Sequence, residues 1–353
     1  MDITARSSTD RTRLRSWYRP FGALALVLGL LAGLVGPAAA QDATPDATPV
    51  NGTPASGTPA AGVFGLGDAD IGATVSALLA VQAVDGGFIG LSGESDPGVT
   101  TDAVQALAAA EQAGVDSGDA IDAAVGYLQE TGAAYAETGD GQRAKLVLAI
   151  EAAGDDSTDF GGADLWAPIE DTAETTQLVE GGAFYLSLVV LAAVAVDSER
   201  IDEFTQLLVA QQVADGSWSF SPDAAPGDGD TNTTSLAIQA LVAAGDVEDP
   251  AIGTGLDYLE TARAADGGYA FSPSLDGTTV VPDANSSALV LQALIATLTP
   301  ADDASFVADA DALAAFQNDD GQFRYTDDQP EDNLLATVQA LPAIAGLAYP
   351  IAA

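Results

Sequence analysis

The stretch Leu207 to Gly245 reads LLVAQQVADGSWSFSPDAAPGDGDTNTTSLAIQALVAAG: an apolar helix, an aspartate-glycine-aromatic turn, a polar loop and a second apolar helix. The same phrase returns along the chain. Gln212-x-x-Asp215-Gly216-x-Trp218 recurs as Gln82-x-x-Asp85-Gly86-x-Phe88 and as Gln317-x-x-Asp320-Gly321-x-Phe323. With Arg263 in the glutamine place it recurs again as Asp266-Gly267-x-Tyr269. The helix that follows also repeats, as TTDAVQAL ending at Leu107, TSLAIQAL at Leu241, SALVLQAL at Leu294 and ATVQAL at Leu341.

Working outward, apolar runs rich in Ala, Leu and Val alternate with Asp/Gly turns, a pattern that predicts helix throughout and no sheet. Placing the second helices on one column gives Leu107, Ile150, Ala193, Leu241, Leu294 and Leu341, spaced by 43 to 53 residues. A period of that size is an internal repeat. First helices are expected from Ile71 to Gln82, Ala120 to Gln129, Ala163 to Asp171, Ile201 to Gln212, Ile252 to Thr261 and Ala304 to Gln317. They carry charge on one side, whereas the second helices are apolar nearly all round. An amphipathic helix belongs outside and an all-apolar one inside. The expected fold is therefore all-α, an (α/α)6 toroid of six outer-inner helix pairs; an open solenoid, with its distinct capping repeats, is the alternative.

The ends of the chain read differently. Arg6, Arg11, Arg13, Arg15 and Arg19 precede an apolar run from Phe21 to Val35, followed by Gly36-Pro37-Ala38-Ala39-Ala40. That order predicts a secretory signal peptide over residues 1–40, cleaved after Ala40, with an uncleaved membrane anchor as the alternative. Residues 41–67 begin QDATPDATPV and continue rich in Thr, Pro, Ala and Gly, the composition of a disordered linker. The toroid is expected over 68–353.

Removal of residues 1–40 would leave five basic against 50 acidic residues. Such a surface repels nucleic acid and anionic membranes. The chain has no cysteine and no histidine, which excludes a thiol nucleophile, a histidine base and an ordinary zinc site. Acid-base work would fall to carboxylates, tyrosine or lysine.

With its repeated glutamine-aspartate-glycine-aromatic turns, the chain resembles the squalene cyclase and protein prenyltransferase β-subunit superfamily over about residues 68 to 350. The resemblance implies that the turn is structural: Gln82, Gln212 and Gln317 tie to a neighbouring helix end, and Phe88, Trp218 and Phe323 stack over the turn. Asp85, Asp215, Asp266, Asp320 and Tyr269 belong to the same set. It also implies where a cyclase would keep its proton donor. The Asp-x-Asp-Asp-Thr motif of triterpene cyclases falls on Asp230-Thr231-Asn232-Thr233-Thr234, so Asn232 stands in the donor place and cannot donate a catalytic proton. Protein prenyltransferases hold zinc with Asp, Cys and His, two of which are absent.

The Asp-x-Asn pairs, Asp230/Asn232 and Asp283/Asn285, carry two readings. Asn232 or Thr233, and Asn285 or Ser286, are expected to cap the helices that follow. In a closed toroid the same four residues are also candidate ligand-binding groups at the mouth of the central cavity. Asp228, Asp230 and Asn232 begin like a calcium loop, but Thr233 and Gln239 stand where that loop needs glycine and glutamate. No cofactor is expected beyond that weak calcium candidate. Asp215, Asp230, Asp266 and Asp283 are the carboxylates a glycan-active enzyme would draw on. The expectation is a secreted, non-catalytic, terpenoid cyclase-like toroid that binds a small molecule, an isoprenoid-like lipid or a cell-surface protein. The alternative is a divergent isoprenoid cyclase or prenyltransferase-like enzyme, or a carboxylate-dependent glycan-active one.

Overall fold

The structure is a computed structural model that describes residues 65–172, 176–273, 280–299 and 303–353, with backbone alone at 176 and 177. The signal-like segment 1–40 and nearly all of the linker lie outside the described residues, as does the boundary between them. The described chain opens at Gly65, with a short 3-10 turn, Leu66–Asp68, against the last outer helix.

The first helices are α1 (Ile71–Val81), α3 (Ala120–Ala136), α8 (Ile201–Ala210), α10 (Pro250–Thr261) and α12 (Ala304–Ala314). The second helices are α2 (Pro97–Gln112), α4 (Asp140–Ala152), α7 (Gly182–Ala195), α9 (Thr231–Ala243), α11 (Ala284–Ala296) and α13 (Leu334–Ile344). Each second helix packs on the next, α2 on α4, then α7, α9, α11 and α13, and α13 returns to α2. The inner ring is closed, and the fold is an α/α toroid. Alanine makes this closure feasible: Ala103, Ala106, Ala149, Ala192, Ala237, Ala240, Ala293 and Ala340 are all fully buried, so inner helices approach closely on every side.

Closure has a polar stitch as well. Gln317 Nε2 donates to Asp70 O at 2.9 Å while Asp70 N–H donates to Gln317 Oε1 at 2.9 Å, binding the last turn to the first outer helix. On the far side of the ring the C-terminal tail enters the end of the barrel. Tyr349 N–H donates to Gln239 Oε1 at 3.0 Å, Gln112 Nε2 donates to Ala352 O at 2.6 Å, and Ile351 is buried.

Three expectations need correction. The third outer helix, expected from Ala163 to Asp171, is one turn, α5 (Ala167–Glu170), followed by α6 (Thr176–Glu180). Arg200 explains how so short a helix is held. Its Nη1 donates to the carbonyls of Ile169, Glu170 and Thr172 at 2.7 to 3.1 Å, satisfying the C-terminal end that further turns would otherwise cover. Second, a small sheet exists: β1 (Arg324–Thr326) and β2 (Gln329–Asp332) pair antiparallel across Asp327-Asp328. Strands of three and four residues are too short to show an alternating pattern.

Third, the sixth repeat is out of register with its sequence alignment. Thr337 accepts the turn aromatic's N–H as Thr100, Thr234 and Ser287 do, so position 344, not Leu341, matches Leu107, Leu241 and Leu294. A short helix with Pro342 inside it brought a false match into line. No helix among the described residues is long and apolar enough to cross a membrane.

Candidate functional site

Four copies of the turn are built alike, and they place the entrance to the inner ring. In each, the backbone N–H of the aromatic residue (Phe88, Trp218, Tyr269, Phe323) donates to a hydroxyl on the following inner helix (Thr100, Thr234, Ser287, Thr337) at 2.9 to 3.0 Å. The N–H of that helix's cap (Asp96, Asp230, Asp283, Asn333) donates back to the aromatic's carbonyl. The turn glycines Gly86, Gly216, Gly267 and Gly321 have φ between 88° and 97°. A Cβ on any of them would stand within 2.4 Å of backbone in the next outer helix, so only glycine lets the turn press against that helix.

The glutamines finish the joint. Gln82 Nε2 donates to Gly86 O and Ala120 O, and Gln212 Nε2 to Gly216 O and Ala251 O, at 2.8 to 2.9 Å. Where Arg263 replaces glutamine, its guanidinium pairs with buried Asp309, which also accepts from Tyr269 Oη at 2.9 Å. Asp85, Asp215 and Asp320 accept N–H groups of their own turns, and Asp266 is exposed. Burial pushes the Asp215 carboxyl up, but the Ser217 hydroxyl and the N–H groups of Gly227 and Ser217 outweigh it, leaving a net downward shift.

The Asp-x-Asn pairs lie side by side on the first turns of neighbouring α9 and α11, but their roles differ from expectation. The caps are the aspartates, not Asn232, Thr233, Asn285 or Ser286. Asp230 accepts from Thr233 N–H at 2.7 Å and from Thr233 Oγ1 at 2.8 Å; Asp283 accepts from Ser286 N–H and Oγ, both at 2.8 Å. Burial pushes both carboxyls up to about 6, against the opposing pull of those hydrogen bonds. Both oxygens of each are thereby engaged, which leaves the asparagines free. Asn285 is 1% exposed; its Nδ2 donates to Gln339 Oε1 at 2.6 Å and its Oδ1 has no partner. Asn232 Oδ1, buried on the adjacent helix, has none either.

Asp228, the first calcium candidate, accepts from Ala225 N–H through Oδ2 at 3.0 Å. No cluster of three His, Cys, Asp or Glu side chains suited to a metal occurs among the described residues.

Residues that sequence reasoning missed complete the mouth. Two places after each turn aromatic stand Phe220, Phe271 and Tyr325, all half-buried; the first copy has Gly90 there. The Phe220 N–H approaches the Asp230 carboxylate, Phe271 O accepts from Thr231 N–H at 2.8 Å, and the ring of Tyr325 feels Asp283. Phe220 packs on Tyr185 and Phe184 with ring centroids 5.3 and 6.0 Å apart. Across the ring, Lys145, the chain's single lysine, donates to Asp102 Oδ2 at 2.8 Å between α4 and α2, close to Tyr135. Burial pulls the Lys145 ammonium down, but the adjacent Asp102 carboxylate overrides it and keeps the lysine charged. A lone lysine inside the apolar run AKLVLAI was the signal available for that pair.

Known structures share this frame. A crystal structure of a protein from Actinoplanes is 18% identical with TM-score 0.53, over 78% of this chain and 98% of that one. The type II terpene cyclase MstE from Scytonema is 16% identical with TM-score 0.51, over 78% and 96%. An unsaturated glucuronyl hydrolase specific for heparin is 10% identical with TM-score 0.56, over 78% and 94%. At these identities the likeness is one of fold, the α/α toroid, which hosts unrelated activities. No family model matches the sequence, and no curated protein matches it.

Proposed function

We propose that the folded unit is a binding module that takes a small polar molecule at the N-terminal mouth of its inner ring and does not cyclise a hydrocarbon. The observation that carries this is the polar lining of the ring. Asn285, Gln339 and Gln292 bond across α11 and α13, Lys145 and Asp102 across α4 and α2, and Gln239 holds the tail. A hydrocarbon guest would offer no hydrogen bond to the oxygens of this lining that still lack one, Asn232 Oδ1 and Asn285 Oδ1, at a cost of roughly 1–3 kcal/mol for each left unpaired. A cyclase also needs an acid at the position that Asn232 occupies, and the nearby aspartates are committed to capping.

The chain is exported in this reading, its first 40 residues removed and the Thr/Pro tract acting as a spacer. N-terminal sequencing of exported material should begin at Gln41; a start at Met1 would favour the anchor. The binding reading is tested by calorimetric titration of the full-length chain with a panel of sugars, amines and amino acids, beside incubation with squalene and shorter isoprenoids. Heat from at least one polar class and unchanged isoprenoid are expected. A cyclised product in the extract would overturn the proposal.

A further inference from the structure

The mouth is selective about which polar groups it leaves unpaired. Asn285 has spent its N–H on Gln339, and Gln292 has spent its own on the Gln339 carbonyl. On the first turns of α9 and α11 what remains without a partner is oxygen: Asn232 Oδ1, Asn285 Oδ1 and the Thr231 hydroxyl, each with its atom out of solvent reach. Asn285 and Gln292 are at most 1% exposed, and their bonds to α13 set them on the α11 side that faces it. Buried acceptors of this kind call for a donor, since an unpaired one is costly.

Two further observations give the donor a charge. The aromatic rings of Phe220, Phe271 and Tyr325 recur at equivalent positions beside the first turns of the inner helices, and Phe184 and Tyr185 extend the Phe220 face. Ring faces attract cations, most strongly where water is excluded. The chain as a whole carries a net charge of −42; Lys145 is already neutralised by Asp102, and Arg143, on the first turn of α4, stands across the ring from the asparagines. An anion therefore meets a repelling field beside the asparagines, and a neutral polyol gains nothing from either the field or the rings.

We infer that the ligand of this mouth is an organic cation, a protonated or quaternary amine, seated among the collar of aromatic rings and directed toward the asparagine oxygens of α9 and α11. This rests on the polar-mouth reading above and narrows it to one chemical class.

The test titrates the full-length chain with choline, with the neutral isostere in which carbon replaces the ammonium nitrogen, and with glucose. Choline should bind about tenfold more tightly than its isostere. Phe220→Leu and Tyr325→Leu, checked for an unchanged circular dichroism spectrum, should each weaken choline about fivefold and leave the isostere unaffected. Equal affinities for choline and its isostere, or binding of glucose alone, would overturn the cationic inference while leaving a polar site. Failure of every polar probe, including the wider panel, would remove both. If either leucine variant does not fold, the comparison of charged and neutral probes on the unmodified chain still decides.

Discussion

The fourth and fifth inner helices begin as the first and sixth do, and yet their first turns carry different side chains. All four have a cap (Asp96, Asp230, Asp283, Asn333) that accepts an N–H three residues on, and a hydroxyl four residues on that holds the preceding aromatic turn. Two residues after the cap stand Gly98, Asn232, Asn285 and Leu335. The frame therefore needs its cap, its hydroxyl and its glycine turn. It places no demand on the intervening position, which is where the unpartnered asparagine oxygens appear. Within one chain the repeat separates what holds the ring from what the ring is free to present.

The largest expected effect lies on the frame. Trp218 is fully buried, and its Nε1 donates to Leu208 O at 2.8 Å. Trp218→Ala should destabilise by about 3–5 kcal/mol through the cavity and the lost indole hydrogen bond. An unchanged urea midpoint would mean that the turn is not what holds the wall.

Next comes a pH dependence in the capping aspartates. Asp230 and Asp283 sit near 6 when folded against an ordinary 3.8, so the fold favours their neutral form. The stability this contributes is full below about pH 4 and is lost as pH rises through 6. It is on the order of 2–3 kcal/mol for each carboxyl. The melting temperature should rise as pH falls from 7.5 toward 5, and Asp230→Asn combined with Asp283→Asn should flatten that rise while keeping an oxygen to cap with. Asp230→Ala, which removes the cap, should instead cost about 1–2 kcal/mol at pH 5. If the asparagine pair left the pH profile unchanged, the acid stabilisation would arise from relief of general charge repulsion.

A smaller effect is expected at the closure of the ring. Gln317→Leu removes both hydrogen bonds to the backbone of Asp70 and should cost about 1–3 kcal/mol, leaving the Asp70 N–H in want of a partner while its carbonyl keeps Thr74. Gln82→Leu breaks an equivalent joint between consecutive repeats. Similar losses at the two would show that the seam between the chain's ends is as strong as any other joint. A much smaller loss at Gln317 would mark the seam as the weak point of the ring.

The frame was legible because it repeats: Gln82, Gln212, Gln317 and the Asp-Gly-aromatic triplets announce themselves by period, and an inner wall of apolar helices follows from hydropathy alone. The mouth was less so, for physical reasons that can be named. Asp and Asn are both good caps, so Asp230-Thr-Asn232 allowed either, and only the turn geometry shows that the chain enters the helix one residue after Asp230. Phe220, Phe271 and Tyr325 read as ordinary apolar residues of a loop; their common distance from the turn aromatic gains meaning only when the ring brings them to one end. Asp102 and Lys145 lie 43 residues apart; the lone lysine in its apolar run calls for a partner, but nothing in either helix says which carboxylate it is. Gln339 was hidden by the register slip of the sixth repeat, which set it beside Gln239 although it stands six residues after its cap, as Asp102 does, and not nine.

The smallest effect sharpens the comparison most directly. Gly98 occupies in the first repeat the place that Asn232 and Asn285 hold in the fourth and fifth. A Cβ there would lie 3.1 Å from Asp96 Oδ1 and 3.3 Å from Tyr135 Oη, tight contacts with two side-chain ends that can move. Alanine gains roughly 1 kcal/mol of helix propensity over glycine, and displacing those two atoms costs a similar amount. Gly98→Ala should therefore fall within about 0.5 kcal/mol of the parent in a denaturant titration, since Asp96 Oδ1 need shift only slightly on Val99 N–H and Thr100 is untouched. A loss beyond about 2 kcal/mol would show that Tyr135 and the Asp96 cap are fixed as firmly as the turn itself. The position after the cap would then belong to the frame in the first repeat, and the freedom to present a side chain there would be confined to the helices that carry asparagine or leucine.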